Sequence, residues 1–412
     1  MRTIELTLAQ AASAAAIQEA IDSLVPEGGR VILPEMELTL DRGLQLRSHV
    51  TLEGRGAGTL LRAAPERIYP LAGYHNYGMC DVPLEFTDGL DPGMTVTIRD
   101  NLHGGFFETF ARITWIEGNW VGLDRGIHSD YHADQSPILV TSFPLIYGED
   151  VEQVAIRNLV LDGDQASHPA GIGNCRGAAV YFIRCHDFVV ENVQERDFAG
   201  EGLGFQMCRH GLIRNCRFDG NRGNGYHPGA GSPAVLFEDC VAAGNGRAGL
   251  FFCVRANHMT VRRCTFRANV DCGISVGTRD CYNAIEHCEI VDNAGPGILF
   301  RAQPRPTEVH SCRVSHCRIA GNARQTGRGQ IDIRGAAHDL AFVENRIAGC
   351  AGREGAGIYV PPSATSIWLA GNRIEGCFPD MIADPTSLAR GEPAFACGRD
   401  AAEPKDWRHL GS

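Results

Sequence analysis

The sequence predicts an all-β chain folded as a right-handed single-stranded parallel β-helix, and three columns of repeated residues predict it. Cysteines recur at intervals of 24, 24, 24 and 29 residues, asparagine follows each cysteine five residues later, and a glycine–aliphatic pair follows three of the asparagines. The cysteines are Cys216, Cys240, Cys264, Cys288 and Cys317, and the asparagines are Asn221, Asn245, Asn269, Asn293 and Asn322. The pairs are Gly249-Leu250, Gly273-Ile274 and Gly297-Ile298.

The length of this repeat favours strands over helices. A coil of 24 residues holds three short strands and three turns, whereas helical repeats usually need about 33 residues or more. Coils that stack at the strand spacing of about 4.8 Å bring identical residues into columns. We therefore expect the asparagines to hydrogen-bond along the stack and the cysteines to fill the interior as small apolar side chains.

The N-terminal segment predicts a capping helix. Ser13 is a suitable N-cap, and an apolar stripe follows it at helical spacing. The stripe consists of Ala16, Ile17, Ala20, Ile21 and Leu24. Such a helix would close the open end of the stack, because terminal repeats need a cap.

Four regions follow from where the repeat is present. Residues 1–65 hold the cap helix and first coils, and residues 149–377 hold the β-helix coils. Between them the repeat disappears, and alternating segments predict an inserted small β-subdomain over residues 66–148. Residues 378–412 form a C-terminal cap or tail.

Composition excludes several classes of function. The 38 basic and 49 acidic residues give a net charge of −11, which argues against a nucleic-acid partner. No basic segment followed by an apolar stretch begins the chain, and no apolar run reaches about 18 residues, so neither a signal peptide nor a membrane span is expected. Sixteen cysteines are then expected to be thiols in a cytoplasmic protein.

One cluster invites a zinc interpretation. His310, Cys312, His316 and Cys317 lie close together in the sequence. Cys317 already belongs to the interior column, however, and no Cys-x-x-Cys pair stands beside it, so core packing is favoured. No dense group of Asp and Glu residues supports calcium either, and we expect no cofactor.

Several segments resemble the pectate-lyase-like superfamily of right-handed β-helix proteins. They are residues 16–22, Gly28–Pro34, Val50–Gly56 and the coil pattern downstream. The resemblance implies action on carbohydrates, and by analogy a homotrimer, but specifies the reaction weakly. Uronan epimerases of this superfamily carry Asp-Pro-His-Asp/Glu, where this chain has Tyr226-His227-Pro228. The Asp-Asp and Gly-His-Gly motifs of polygalacturonases are absent.

The resemblance also implies that sugar binds along the sheet that contains the glycine–aliphatic strands. Alternation along these strands predicts two columns of outward residues. The first holds Tyr181, Gly204, Tyr226, Phe251, Ser275, Leu299, Asp332 and Tyr359. The second holds Gln206, Pro228, Cys253, Gly277, Arg301 and Arg334.

Arginines are concentrated on this face. Arg255, Arg279, Arg301 and Arg334 should lie near one another, although the chain is acidic overall. A bound carboxylate would relieve their repulsion, because guanidinium groups pair with carboxylates in a bidentate manner. The alternative is that these arginines point into solvent or pair with Asp280 and Asp332.

The remaining candidates carry proton-transfer chemistry. His227 takes an inward position by this register, and Pro228 suggests that the strand is broken there and exposes Tyr226 and His227. We predict catalytic roles for His227, Tyr226, Asp332 and Arg301. We predict substrate-binding roles for Arg279, Arg334, Arg255, Gln206, Glu201, His258 and His103, the last in a possible lid that is also compatible with an ordinary hairpin.

The reaction that these residues favour is β-elimination. Hydrolysis needs two carboxyl groups about 5–9.5 Å apart, and Asp332 has no adjacent partner in this register. Elimination needs a cation for the carboxylate of a uronate and a base for the neighbouring proton. We therefore expect a lyase acting on an acidic oligosaccharide or polysaccharide. The alternatives are a glycoside hydrolase, a uronate epimerase, and a non-catalytic β-helix that binds glycans or mediates assembly.

Overall fold

Stacked parallel strands make up most of the structure, a computed structural model that describes residues 2–102, 104–349, 355–391, 393, 395 and 397. One face of the stack, here called the groove sheet, has eleven strands. In spatial order they are Leu44–Gln45, Ile146–Glu149, Ala178–Ile183, Glu201–Gln206, Tyr226–Gly229, Leu250–Phe251, Ile274–Val276, Ile298–Phe300, Gly329–Ile333, Ala356–Tyr359 and Met381–Ile382.

A sheet of 21 strands, here called the outer sheet, forms the other two faces. Its long strands bend from one face to the other, as Glu152–Asp162 does by pairing with both Val50–Glu53 and Thr59–Ala63. The strands are Arg2–Glu5, Gly29–Ile32, Met36–Leu40, Val50–Glu53, Thr59–Ala63, Glu152–Asp162, His186–Arg196, Arg209–Arg214, Arg217–Asp219, Val235–Glu238, Val241–Ala243, Thr260–Arg262, Thr265–Arg267, Ala284–Glu286, Glu289–Val291, His310–Ser315, Arg318–Ala320, His338–Val343, Arg346–Ala348, Thr365–Ala370 and Arg373–Glu375.

The right-handed parallel β-helix expected from the repeat is confirmed. The interior column of the groove sheet runs from Leu203 through Leu250 to Ile358 in continuous parallel register. These side chains are fully buried, and apolar burial of this kind stabilises each coil by roughly 1.5–3 kcal/mol per large side chain.

The asparagines form the hydrogen-bonded ladder expected of them. From Asn245 to Asn322, the Oδ1 atom of each asparagine accepts the backbone N–H of the asparagine one coil earlier, at 3.0–3.1 Å. Gln330 closes the C-terminal end by accepting from Asn322, and Glu195 accepts from Asn221 at the other end. The ladder satisfies buried turn amides that would otherwise lack partners.

The cysteine column packs in the interior as expected. Its five members are buried to within 2% exposure, and the 15 cysteines of the described residues carry free thiols. Among the same residues, no group of three or more His, Cys, Asp or Glu side chains is placed to bind a metal ion. No helix in the described part of the chain is long and apolar enough to span a membrane.

An α-helix, Ala14–Asp22, lies at the N-terminal end of the stack. Ser13 is its N-cap, with Oγ accepting the N–H of Ala16 at 3.2 Å. Ile17 and Ile21 are fully buried in the main core. Short 3₁₀ helices occur at Gly56–Gly58, Gly105–Phe107, Ala133–Gln135, Gln165–Ser167, Asn174–Arg176 and Pro385–Ser387.

The segment without the repeat folds as a six-stranded antiparallel sheet, here called the inserted sheet. Its strands are Ile68–Pro70, Asp81–Pro83, Thr95–Arg99, Thr109–Glu117, Trp120–Leu123 and Ile138–Val140. The sheet has a small core of its own. It leaves the stack after the coil of Thr59–Ala63 and returns at Ile146–Glu149, so it stands beside the first strands of the groove sheet.

Candidate functional site

The register at Tyr226 is shifted by one residue from the sequence prediction. Tyr226 pairs with Leu203 and Leu250, and its fully buried ring lies in the interior column. Its hydroxyl donates to the carbonyl oxygens of Cys216 and Val241, which makes an interior tyrosine stable. The prediction that Tyr226 is exposed and catalytic is therefore wrong. Position 226 lies one 24-residue repeat before Leu250, so the repeat itself indicated that Tyr226 belongs to the interior column.

His227 consequently lies on the outward face, not in the interior. It belongs to the strand Tyr226–Gly229, so the strand is not broken at Pro228. The first outward column holds Tyr147, Tyr181, Gly204, His227, Phe251, Ser275, Leu299, Asp332 and Tyr359. In the second, Gly229 and not Pro228 stands beside Gln206.

His227 and Glu201 form a buried acid–base pair. Nδ1 of His227 lies 3.5 Å from Oε1 of Glu201, whose Oε2 accepts the N–H of Asn224 at 2.6 Å. Burial alone lowers the pKa of His227, but the Glu201 carboxylate and Cys253 raise it, and the resulting pKa is about 9. His227 is therefore an imidazolium at neutral pH, able to donate a proton or to stabilise negative charge.

Three side chains around Gly204 present polar atoms without partners. Within the described residues, the hydroxyl of Tyr181, the amide of Gln206 and Nε2 of His227 are buried and form no hydrogen bond, while Nδ1 of His227 lies 3.5 Å from Glu201. Gly204 lies between Tyr181 and His227 in the column, so the backbones of these two residues are about 9.6 Å apart, two coil spacings, and a Cβ at Gly204 would lie 3.1 Å from Cβ of Ala178. The place in front of Gly204 is here called the slot. Buried polar groups normally find partners, so this slot has the character of a site for a polar ligand.

Arg301 is bound to the protein instead of standing free. It donates to Oγ of Ser275 at 2.6 Å and to the carbonyl oxygen of Phe252 at 2.7 Å, and its guanidinium covers the Phe251 ring at 4.2 Å. Gly277 makes room for it, since a Cβ there would lie 1.9 Å from Nη2. Burial lowers the pKa of Arg301. Arg301 thus fits the alternative in which the arginines of this face pair within the protein, and this geometry does not favour direct contact between Arg301 and a substrate.

Asp280 is the carboxylate that accompanies Arg301. It is fully buried 3.5 Å from Nη2 of Arg301, and it accepts the N–H groups of Ala256 and Gly277 at 3.0 and 2.8 Å. Burial raises the pKa of Asp280 to about 7, and the hydrogen bonds and Arg301 oppose that rise. Its carboxylate holds the turn after the groove sheet and orients Arg301 over Phe251.

Asp332 and Arg334 form the intrastrand pair considered above, but the carboxylate is buried. Oδ2 of Asp332 accepts from Nη2 of Arg334 at 2.7 Å and from the N–H of Arg328 at 3.1 Å, while Oδ1 has no partner among the described residues. Arg328 covers the neighbouring Tyr359 ring at 4.6 Å. Asp332 is therefore inaccessible as a direct catalyst in this conformation and far along the groove from His227.

The remaining candidates are distributed around the groove. Arg255 and Arg279 are exposed in successive left-handed turns at the rim, and with Arg247 on the opposite rim they form no ion pair with the described residues. His258 stacks on Tyr282 at 4.9 Å in the turn beyond the rim, outside the slot. His103 lies outside the described residues.

The inserted sheet supplies site residues that sequence reasoning missed. Phe110 packs edge-on against Tyr147 at 4.8 Å, and two residues earlier Glu108 lies beside Arg176 and Gly177, at the start of the strand of Tyr181. Oε2 of Glu108 is buried without a partner among the described residues, and burial raises its pKa to about 7. No spacing in the sequence links residue 108 to the coils, so no pattern indicated this contact.

Cys175 connects Glu108 with the surroundings of His227. Its thiol is close enough to Cys253 and to Glu108 for both to raise its pKa, to about 12, in addition to burial. Cys253 in turn acts on His227.

Comparisons with known proteins agree with this architecture. A family model described as "Right handed beta helix region" matches residues 170–314. The chain is a right-handed parallel β-helix protein. No curated protein matches the sequence.

Two solved structures resemble the whole chain. The A-module of mannuronan C-5 epimerase AlgE4 from Azotobacter vinelandii has a TM-score of 0.59 at 16% identity, covering 92% of this chain and 96% of that one. The A-module of AlgE6 from the same organism has a TM-score of 0.56 at 16% identity, with coverages of 91% and 93%. At this identity the likeness concerns the fold.

Proposed function

We propose that the protein is a carbohydrate-active enzyme that removes the proton beside the carboxylate of a uronate residue, and that it acts as a lyase. The observation that carries this proposal is the slot at Gly204, where the hydroxyl of Tyr181, the amide of Gln206 and Nε2 of His227 are buried without hydrogen-bond partners among the described residues. A sugar ring supplies the hydroxyl and carboxylate groups that such atoms need.

Charge at the slot suits an anionic ligand. The protonated His227 would neutralise the negative charge that develops on the carboxylate side of the sugar during proton removal. Arg247, Arg255 and Arg279 at the rims would attract and hold neighbouring acidic residues of the chain. Because these cations supply the positive charge, the proposal includes no metal or other cofactor.

Glu108 and His227 are the proposed base and acid. The pKa of Glu108, about 7, suits a base that must be partly ionised at neutral pH. Its carboxylate takes the proton from C5, the electrons form the C4–C5 double bond, and the C4–O bond breaks. His227 then protonates the departing glycosidic oxygen.

C5 epimerisation is the second candidate. Both solved structures described above carry titles naming mannuronan C-5 epimerases, and epimerisation begins with the same proton removal. It differs in the second step, since a proton returns to C5 from the opposite side and no bond to oxygen breaks. Two separate proton carriers, Glu108 and His227, are compatible with that outcome.

The test is incubation with oligomannuronates and oligogalacturonates in deuterated water. A lyase gives absorbance of unsaturated ends, whereas an epimerase gives deuterium at C5 and inverted configuration by NMR without cleavage. New reducing ends without absorbance would indicate a hydrolase. Absence of both C5 exchange and cleavage across the panel would refute the proposal.

Two variants separate catalysis from binding. His227→Gln and Glu108→Gln should each lower turnover by about 10²-fold or more, the usual contribution of a positioned acid or base, and should still bind oligosaccharide in calorimetry. Arg209→Ala, an exposed change on the outer sheet, is the control and should leave turnover unchanged. Unaltered turnover in both test variants would show that neither residue is the acid or the base, whereas binding without turnover by the unmodified protein would favour a non-catalytic glycan-binding β-helix.

A further inference from the structure

The inserted sheet lies across the first strands of the groove sheet. Oγ1 of Thr95 accepts the N–H of Gly43 at 2.8 Å, just before Leu44–Gln45, and Oγ1 of Thr97 donates to the carbonyl oxygen of Ser142 at 2.9 Å. Together with the packing of Phe110 on Tyr147, these contacts leave Tyr147 only 5% exposed. The outward face is thus covered on the N-terminal side of Tyr181.

The loop of residues 163–177 completes this cover and is tied on both sides. From the inserted sheet, Arg99 donates to the carbonyl oxygens of Ala170 and Gly171 at 3.2 and 3.0 Å. From the coils, Arg222 donates to the carbonyl oxygen of His168 at 2.6 Å. Because these hydrogen bonds hold the loop from both sides, the inserted sheet and the loop together form a fixed wall of the groove.

The carboxylate of Glu66 strengthens the same loop. It accepts the N–H groups of Ala170 and Gly171 at 2.7 and 2.8 Å. On the other side, the guanidinium of Arg176 lies 5.3 Å from the Phe106 ring centroid. The inserted sheet, the loop and the coils therefore meet at one place, directly in front of the strand of Tyr181.

Toward the C-terminal end the same face is covered less completely, although Ser275 and Asp332 on it are buried. Phe251, Cys253, Arg301 and Arg334 are partly exposed, and the rim arginines are exposed. A chain bound at the Gly204 slot can therefore extend in one direction only. Its end must lie against the wall, where Oε2 of Glu108 and Nε of Arg176 are buried without partners among the described residues.

We infer that the groove has a blind end and that the protein engages acidic polysaccharide at a chain terminus, with Arg176 contacting the terminal sugar. The inference rests on the proposed function for the identity of the ligand and extends it to the mode of action. An enzyme of this shape removes units from chain ends and does not cut within the chain.

The first experiment follows product size with time on size-fractionated polymannuronate and polygalacturonate. A blind end predicts one small product from the earliest time, a slow fall in viscosity, and a rate proportional to the number of chain ends. An early mixture of intermediate lengths with a rapid fall in viscosity would overturn the inference while leaving the proposed function standing.

The second experiment measures binding and does not depend on turnover. The His227→Gln variant is titrated calorimetrically with short and long fractions of the same polymer at equal mass. The number of protein molecules bound per unit mass should fall in proportion as the chains lengthen. Stoichiometry that stays constant per unit mass, or absence of binding, would overturn the inference. End-dependent binding without turnover by the unmodified protein would instead count against the proposed function alone.

A pair of variants locates the contact. Arg176→Ala should weaken binding of a short oligomannuronate about tenfold or more, as expected on loss of a charged hydrogen bond, while Arg209→Ala on the outer sheet should not. Equal affinities for the two variants, with both folded by circular dichroism, would remove Arg176 from the chain-end site.

Discussion

At the residue scale, pH should control turnover through two groups whose pKa values bracket the working range. Activity should rise as Glu108 ionises near pH 7 and fall as His227 loses its proton near pH 9, giving a bell-shaped profile. The measurement is kcat/KM against pH on a cleaved or epimerised uronate oligomer. A profile without an alkaline limb would mean that protonated His227 is not required.

Tyr226 and Tyr181 make a matched pair for stability. Tyr226→Phe removes a hydroxyl that donates to two carbonyl oxygens in the core, so the free energy of unfolding should fall by about 1–2 kcal/mol with little effect on turnover. Tyr181→Phe removes a hydroxyl without a partner in the described residues. It should leave stability unchanged and weaken ligand binding.

Denaturant midpoints and ligand titrations on the two variants check this contrast. Loss of turnover in a folded Tyr226→Phe protein would return that residue to the site, against its position in the interior column.

The sequence identified the face of the site better than its chemistry. His227 and Gln206 were recognisable as exceptions in a repetitive stretch, and both lie at the slot. Tyr226 was misplaced because the break expected at Pro228 does not occur, and its hydroxyl is satisfied in the core. The position of Glu108 could not be predicted from the sequence, because its contact with the coils joins segments that share no periodicity.

At the element scale, the stability that an asparagine contributes to the stack should depend on how deeply its hydrogen bonds are buried. Asn269→Ala removes the acceptor for the backbone and side-chain amides of Asn245, both buried, at 3.1 and 3.0 Å. We expect a loss of roughly 2–4 kcal/mol, because buried donors are left without partners. Asn372→Ala removes the matching acceptor for the amides of Asn345, in the partly exposed C-terminal continuation of the cysteine column, and should lose less because water can replace the amide.

Denaturation midpoints of the two variants, measured side by side, test the idea. Equal losses of unfolding free energy in the two variants would show that burial does not determine how much these hydrogen bonds stabilise the stack.

Glu195 at the other end of the ladder should make stability depend on pH. Burial raises its pKa well above 4.5, and only the hydrogen bond from Asn221 opposes that rise among the main causes. A raised pKa in the folded state means that stability is complete below about pH 4.5, the unfolded value, and is progressively lost as pH rises toward the folded pKa.

Glu195→Gln should therefore stabilise the protein increasingly as pH rises above about 4.5, and change it little below. Unfolding midpoints of both proteins across pH 4 to 8 provide the measurement. A difference that is constant over that range would contradict a buried, protonated Glu195.

At the scale of the whole molecule, the net charge is negative, whereas the exposed charge along the groove is positive. The chain carries −11 overall, yet exposed arginines line the groove. Binding of an oligomannuronate should weaken as salt increases, because screening acts over about 10 Å at 0.1 M. A neutral oligosaccharide of equal length should show no such dependence. The double variant Arg255→Ala/Arg279→Ala should reduce the salt dependence, and an unchanged slope would place the ligand elsewhere.

The overall architecture was predictable because each coil repeats the structure of the one before it, displaced by one strand spacing along the stack. Residues such as Asn245 and Cys264 meet the same environment in each coil, so spacing alone reveals the stack. The cover over the first groove strands arises once, from contacts such as Arg99 with Ala170, and a unique contact leaves no periodic trace. That difference explains why the fold was clear from the sequence while the shape of its groove was not.

Arg301 forms hydrogen bonds to two earlier coils, and this limits where a coil could be inserted into the stack. Ladder bonds are alike in successive coils, so duplication of a 24-residue coil would preserve them. Arg301, however, holds Phe252 and Ser275, two coils and one coil earlier. A duplication between them would separate these partners by about 4.8 Å. The stack can grow beyond Arg301, whereas the number of coils between Phe252 and Arg301 is fixed by these hydrogen bonds.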